Sequence, residues 1–131
     1  MAEVTGLDHV QLSIPEGGED AARRFYAGLL GLTEVPKPAS LAARGGCWFV
    51  GPGVALHLGV EPDFRPAQKA HVALLTDSID ELRGVFAAAG VTIVDDDAAI
   101  GVRRFHAFDP FGNRLELVDA RDAGFTKRAA T

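Results

Sequence analysis

The sequence predicts an α+β fold built from two tandem βαβββ modules whose curved mixed sheets surround a cleft. Three observations predict it. The chain repeats itself: LDHVQLSI (Leu7–Ile14) resembles KAHVALLT (Lys69–Thr76), the stretch from Glu19 resembles that from Ile79, and FVGPGVALHL (Phe49–Leu58) resembles FDPFGNRLEL (Phe108–Leu117). The spacing is nearly constant, 62 residues from His9 to His71 and 59 from Gly31 to Gly90 and from His57 to Glu116. Within each copy the apolar period changes from two to helical and back to two, which is the order strand, helix, strands.

Each element has its own signal. In the first strand Val10, Leu12 and Ile14 alternate with His9, Gln11 and Ser13. The helix after it carries Ala22, Phe25, Tyr26, Leu29 and Leu30 at helical spacing and stops at Gly31. Its counterpart carries Ile79, Leu82, Phe86 and Ala89 and stops at Gly90, and Ser78 with Glu81 reads as a capping box. The remaining strands are expected near Leu32–Pro36, Cys47–Val50 and Val54–Val60, then near Val91–Val94, Val102–Phe108 and Arg114–Asp119. One offset lays Phe49 on Phe108, Gly53 on Gly112, Leu56 on Leu115, Leu58 on Leu117, and His57 on Glu116. Glu61 to Gln68, with Pro62 and Pro66, reads as the linker. The whole, 1–131, is then one domain, with module one at about 5–60 and module two at about 69–120. The Lys37–Gly46 stretch, rich in Pro, Ala and Gly, is the longest irregular segment and is placed to cover a site. Asp95, Asp96 and Asp97 read as a solvated turn, because adjacent carboxylates cannot all point one way in a strand. The tail after Phe125 is expected to fray.

Composition narrows the function. Hydrophobic residues make up 47% and charged ones 24%, as in a folded soluble protein. A net charge of −5 argues against nucleic-acid binding, and the Arg23–Arg24 and Arg103–Arg104 pairs form no basic stripe. The single Cys47 allows no intrachain disulfide and suits a reducing cytoplasm, where the missing signal-peptide pattern also points. No apolar run approaches the about 20 residues that span a membrane.

The strand faces carry the chemistry. Leu56, Leu58 and Val60 should face the helix, which turns His57 and Ala55 away. Leu115 and Leu117 face the helix and turn Glu116 away; Phe105 and Ala107 do the same for Arg104, His106 and Phe108. The repeat aligns His71 with His9. All four histidines are thus expected on strands, on one concave face with Glu116. A buried carboxylate among imidazoles favours a divalent cation, which offsets its desolvation. Such ligands suit nickel, cobalt, manganese, iron or zinc. His9, His71 and Glu116 form a two-histidine, one-carboxylate set with His57 as a fourth candidate, and such a set leaves positions open for substrate.

These residues resemble the vicinal oxygen chelate superfamily, which includes glyoxalase I, extradiol dioxygenases, methylmalonyl-CoA epimerase, fosfomycin-resistance transferases and bleomycin-binding proteins. LDHVQLSI, FYAGLLGL, HVALLT and DPFGNRLEL carry the resemblance over Leu7 to Asp119. It implies paired βαβββ modules closing around a metal, with His9, His71 and Glu116 at ligand positions. His57 stands where bacterial glyoxalase I has Glu and methylmalonyl-CoA epimerase has Gln, so this sequence departs from both at that position.

The resemblance implies a metal-dependent lyase or isomerase of glyoxalase type. It would act on a small substrate with vicinal oxygens through an enediolate-like intermediate, with Glu116 or His57 moving the proton. Arg104 and His106 are candidate substrate contacts, alongside roles as a surface arginine and a plain strand histidine. One alternative is a metal-free drug-binding protein of bleomycin-resistance type, where Trp48, Phe49 and Phe108 offer stacking surfaces, although core packing also suits these rings. Another is an extradiol-type dioxygenase, against which the short chain counts. A homodimer is expected, since each open sheet leaves edges to cover. Ser13 beside His9 is a weak nucleophile pair, and Cys47 reads as an inert buried thiol.

Overall fold

The computed structural model describes residues 2–95 and 101–124, in two compact units, Met1–Arg65 and Pro66–Thr131. The first unit runs β1 (Val10–Ile14), α1 (Glu19–Ala22) continuing as a π-helix over Arg23–Leu29, β2 (Thr33–Val35), α2 (Ala39–Ala42), β3 (Cys47–Gly51) and β4 (Val54–Val60). The second runs β5 (Val72–Thr76), α3 (Ile79–Ala88), β6 (Ile93–Asp95), β7 (Arg104–Phe108) and β8 (Arg114–Asp119), with a closing 3₁₀ turn at Ala120–Asp122. The two sheets have the same order, β1-β4-β3-β2 and β5-β8-β7-β6. The first strand of each lies parallel to the last and the other pairs are antiparallel. Two four-stranded mixed sheets with few helices make this the tandem βαβββ, α+β fold. Among the described residues no helix is long and apolar enough to cross a membrane.

Each core forms where the sheet's apolar face meets its helix. In the first unit Ile14, Phe25, Tyr26, Phe49, Leu56 and Leu58 are buried. In the second, Phe86 of α3 meets Phe105 of β7 edge-on, centroids 6.0 Å apart, over buried Leu115 and Leu117. The π-helix is a departure from the plain helix expected. Leu30 donates to the Phe25 carbonyl at 3.0 Å, a wider turn that accompanies the burial of two consecutive large rings, Phe25 and Tyr26.

Other details also differ. β6 and β7 start later than expected, at Ile93 and Arg104. Ser78 stands at the N-cap of α3 but makes no side-chain cap; its N–H instead donates to Thr76 Oγ1 at 3.1 Å, so the expected capping box does not form. The Lys37–Gly46 segment holds the short α2. His9 and His71 each sit one residue before a strand and not within it, contrary to the reading that put every histidine on a strand. Asp95 ends β6 and pairs with Arg83 at 2.6 Å; Asp96, Asp97 and the tail from Phe125 lie outside the described residues.

The most consequential difference is a one-residue shift between the modules. Trp48 pairs with His57 and Phe49 with Leu56 in the first sheet, whereas His106 pairs with Glu116 and Ala107 with Leu115 in the second. If His57 matches Glu116, then Trp48 matches His106, and Phe49 cannot match Phe108. The cause is the hairpin: Gly51 pairs with Val54 around a two-residue turn, whereas Phe108 pairs with Arg114 around the longer Asp109–Asn113 turn. Because side chains alternate, that single step sends Phe49 to the helix face and Phe108 to the opposite one.

Candidate functional site

In the second unit the DPFGN turn sets the site. Asp109 Oδ1 accepts from the backbone N–H of Phe111 at 2.9 Å and of Asn113 at 2.8 Å, and Oδ2 accepts from Asn113 Nδ2 at 2.9 Å. Thus fixed, β8 buries Leu115 and Leu117 against the helix and turns Glu116 to the other face, in one row with Ala73 and His106.

Glu116 is buried and surrounded by cationic or imidazole groups. His71 Nε2 lies 3.0 Å and His106 Nε2 3.7 Å from its Oε1, and Arg104 Nη1 donates to Oε2 at 3.2 Å. The other ring nitrogen of His71, Nδ1, lies 2.9 Å from the Lys69 carbonyl, which can only accept, so Nδ1 carries the proton. In the neutral tautomer Nε2 then points a lone pair at a carboxylate oxygen. A proton or a metal ion has to stand between them. His106 is buried with its Nδ1 unpartnered among the described residues, and its Nε2 is too far from Glu116 for a hydrogen bond. Burial, then the nearby Arg114 charge, pushes its pKa down, which keeps it a neutral potential ligand. One donor atom from each of His71, His106 and Glu116 lies within 4.8 Å of the others. Two imidazoles and a carboxylate at this spacing fit a single divalent transition ion, with the tethered His71 Nδ1 as outer support.

The matching face of the first unit carries a stack of rings. His57 lies between His9 (centroids 4.1 Å) and Trp48 (3.9 Å, interplanar angle 6°). Asp8 Oδ2 lies 2.8 Å from His9 Nδ1, so that nitrogen is the donor and Nε2 is left free to ligate. Burial first, and then His9, pushes the His57 pKa down. Neither nitrogen of His57 has a hydrogen-bond partner among the described residues.

His71, Glu116, Arg104 and His106 are therefore gathered in one unit, and His9 with His57 in the other. His106, read from the sequence as a substrate contact, stands among the candidate ligands. Phe108 ends β7 on the same face as His106. Phe49 is fully buried against Tyr26, centroids 5.8 Å apart, so it is core and not a substrate surface. Cys47 is buried, which pushes its thiol up to about 11 and leaves it inert at neutral pH. The sequence reading missed Gln11, Lys37 and Arg44, which line a cavity in the first unit. Its only signal was two cations flanking a small-residue loop.

A duplicated βαβββ fold whose second unit gathers His71 with the buried His106 and Glu116 defines a class of small mixed-sheet proteins with a donor set suited to a metal ion. This chain belongs to the Glyoxalase/Bleomycin resistance protein/Dioxygenase superfamily, whose family model matches residues 6–117. No curated protein gives a match. Among solved structures, a glyoxalase family protein from Bacillus anthracis is 43% identical with a TM-score of 0.85, covering 91% of this chain and 98% of that one. A glyoxalase/dioxygenase from Nostoc punctiforme is 23% identical, with a TM-score of 0.69 and coverages of 91% and 98%. A mutant of the fosfomycin resistance protein FosX of Listeria monocytogenes, complexed with Mn(II) and 1S,2S-dihydroxypropylphosphonic acid, is 18% identical with a TM-score of 0.74, covering 89% and 93%. The last two share the fold.

Proposed function

We propose that this chain is a metal-dependent lyase or isomerase of glyoxalase type, acting on a small substrate with vicinal oxygens. The observation that carries the reading is the buried Glu116 carboxylate with His71 and His106 nitrogens at 3.0 and 3.7 Å. Nickel, cobalt, manganese, iron and zinc all suit this donor set, and the Mn(II) in the FosX complex keeps manganese among them. A bound divalent cation would polarise the substrate's adjacent oxygens as a Lewis acid. His57, kept unprotonated by burial and by His9, is available as a general base, and Glu116 is the second proton-moving group. Arg104 orients an anionic part of the substrate, and Phe108 borders it. The protein acts in the cytoplasm as a homodimer, a reading supported by the exposed Leu75 and Val94 on the edge strands β5 and β6.

Metal content by mass spectrometry on untagged protein tests this. About one transition metal per chain, lost in Glu116→Gln and His71→Ala, supports it. His9→Ala and His57→Ala report in the same way whether those histidines add to the ligand set. Loaded protein then goes to 2-oxoaldehydes, epimerisable acyl thioesters and catechols, the last testing the dioxygenase reading. Sedimentation measures the dimer.

One observation favours a second reading, a metal-free ligand-binding protein of bleomycin-resistance type. Arg104 already offsets the Glu116 charge at 3.2 Å. No metal in the protein after incubation with all five ions would select this reading.

A further inference from the structure

The first unit contains a second feature, away from the Glu116 cluster in sequence. A cavity of about 280 Å³ is lined by Gln11, Lys37, Leu41, Arg44, Trp48 and Val60 among others. It is bounded by residues of β1, β3 and β4 and by the Lys37–Gly46 segment.

That segment is fastened at both ends. Lys37 Nζ donates to the Gly45 carbonyl, closing the segment on itself. Glu19 Oε2 accepts from the Gly46 N–H at 2.8 Å, tying the segment's end to α1. Gly46 has φ +81°, and a Cβ there would come within 2.1 Å of the Leu58 carbonyl oxygen, so only glycine lets the chain return this close to β4. The segment is thus preorganised, which lowers the entropy lost on binding.

The charges at the cavity do not cancel. Lys37 uses one of its three donors on Gly45 and keeps two. Neither Lys37 nor Arg44 is paired with a carboxylate among the described residues; Glu19 holds the segment's end through the Gly46 N–H and is not among the lining residues, so its one negative charge stands against two positive ones. Two unpaired cations and the Gln11 amide therefore line a small cavity in a chain whose net charge is −5. Leu41, Trp48 and Val60 supply apolar surface. The volume falls just below the roughly 300–1,000 Å³ range of small-molecule sites, so the ligand is small.

We infer that this cavity binds a small organic anion, a carboxylate or phosphonate on a flat apolar body, with Lys37 and Arg44 taking the anionic group and Trp48 bordering the body. The site works without metal and does not depend on the reading of the Glu116 cluster.

Trp48 is the chain's single tryptophan, so its fluorescence reports this cavity directly. Chelator-treated protein is titrated with benzoate, phenylphosphonate and the neutral benzamide. Saturable changes with one or both anions and none with benzamide support the inference, and the tighter anion tells carboxylate from phosphonate. Lys37→Met and Arg44→Met should each weaken that anion by about tenfold or more, as for lost charge-assisted hydrogen bonds, with the far-ultraviolet circular dichroism unchanged. If a variant fails to fold, added sodium chloride on the wild type replaces it, and weakening with salt is the expected result. Benzamide binding as tightly as the anions, no saturable change with any probe, or anion binding that ignores both substitutions and salt would each overturn it.

Discussion

His71 Nε2 and Glu116 Oε1 lie 3.0 Å apart while His71 Nδ1 is engaged by the Lys69 carbonyl. Lys69 thereby decides which nitrogen faces the carboxylate, and that nitrogen reaches Glu116 only through a proton or a metal ion. A metal and a proton therefore compete for this nitrogen. A metal takes only the deprotonated Nε2, so zinc or manganese affinity should fall as the solution is acidified. Affinity that ignores acidification, or that survives His71→Ala unchanged, would place the metal elsewhere.

Arg104 shares Glu116 with the candidate ligands. Its guanidinium stands where a bound cation would be repelled, and the pair is screened because Arg104 is partly exposed. Arg104→Met should bind zinc several-fold more tightly by calorimetry. Weaker binding would mean that Arg104 holds Glu116 in its ligating orientation and does not compete for it.

Asp109 does its work through the backbone. Its carboxylate accepts from two N–H groups of the turn and from Asn113 Nδ2, all close to or inside the core. Asp109→Ala leaves those donors unsatisfied and should destabilise the protein by about 2–4 kcal/mol in urea unfolding. Metal affinity should fall with it, because the turn sets which way β8 presents Glu116. A loss of stability with affinity intact would separate the two roles.

Asp119 ends β8 and is held by Arg121, whose side-chain and backbone hydrogen bonds lower its pKa to about 2. A depressed carboxyl pKa means the unfolded chain takes up the proton first. The stabilisation is full above the ordinary carboxylate range and is lost as the pH falls from about 4 towards 2. Melting temperatures measured over that window should drop less steeply for Asp119→Asn than for the wild type. Equal slopes would show that other carboxylates account for the acid sensitivity.

Much of the fold was legible because it rests on local periods. Leu56 and Leu58 around His57, and Leu115 and Leu117 around Glu116, fix which side each of these residues faces from the alternation alone. β4 and β8 have the bounds the pattern suggested, and the duplication predicted the tandem βαβββ modules that form the two sheets. The edges of β6 and the cap of α3 were less legible, since hydrogen-bond partners decide them and not composition.

By itself, then, the sequence determined the repeat, the strand and helix order, and the faces on which His57, His106 and Glu116 lie, because side-chain alternation is a property of the local backbone. Only the tertiary structure decided what stands beside what. The turn at Asp109 is longer than its counterpart at Pro52–Gly53, and that step of one residue puts His106 in the place of Trp48. So one module has imidazoles around a carboxylate and the other has a histidine between two rings. Likewise Arg104 on Glu116, and Lys37 and Arg44 around one cavity with Gln11 and Val60, bring together segments apart in sequence. Pairing across strands and closure of a loop depend on register and on the room left by neighbouring side chains, and no window of consecutive residues encodes either.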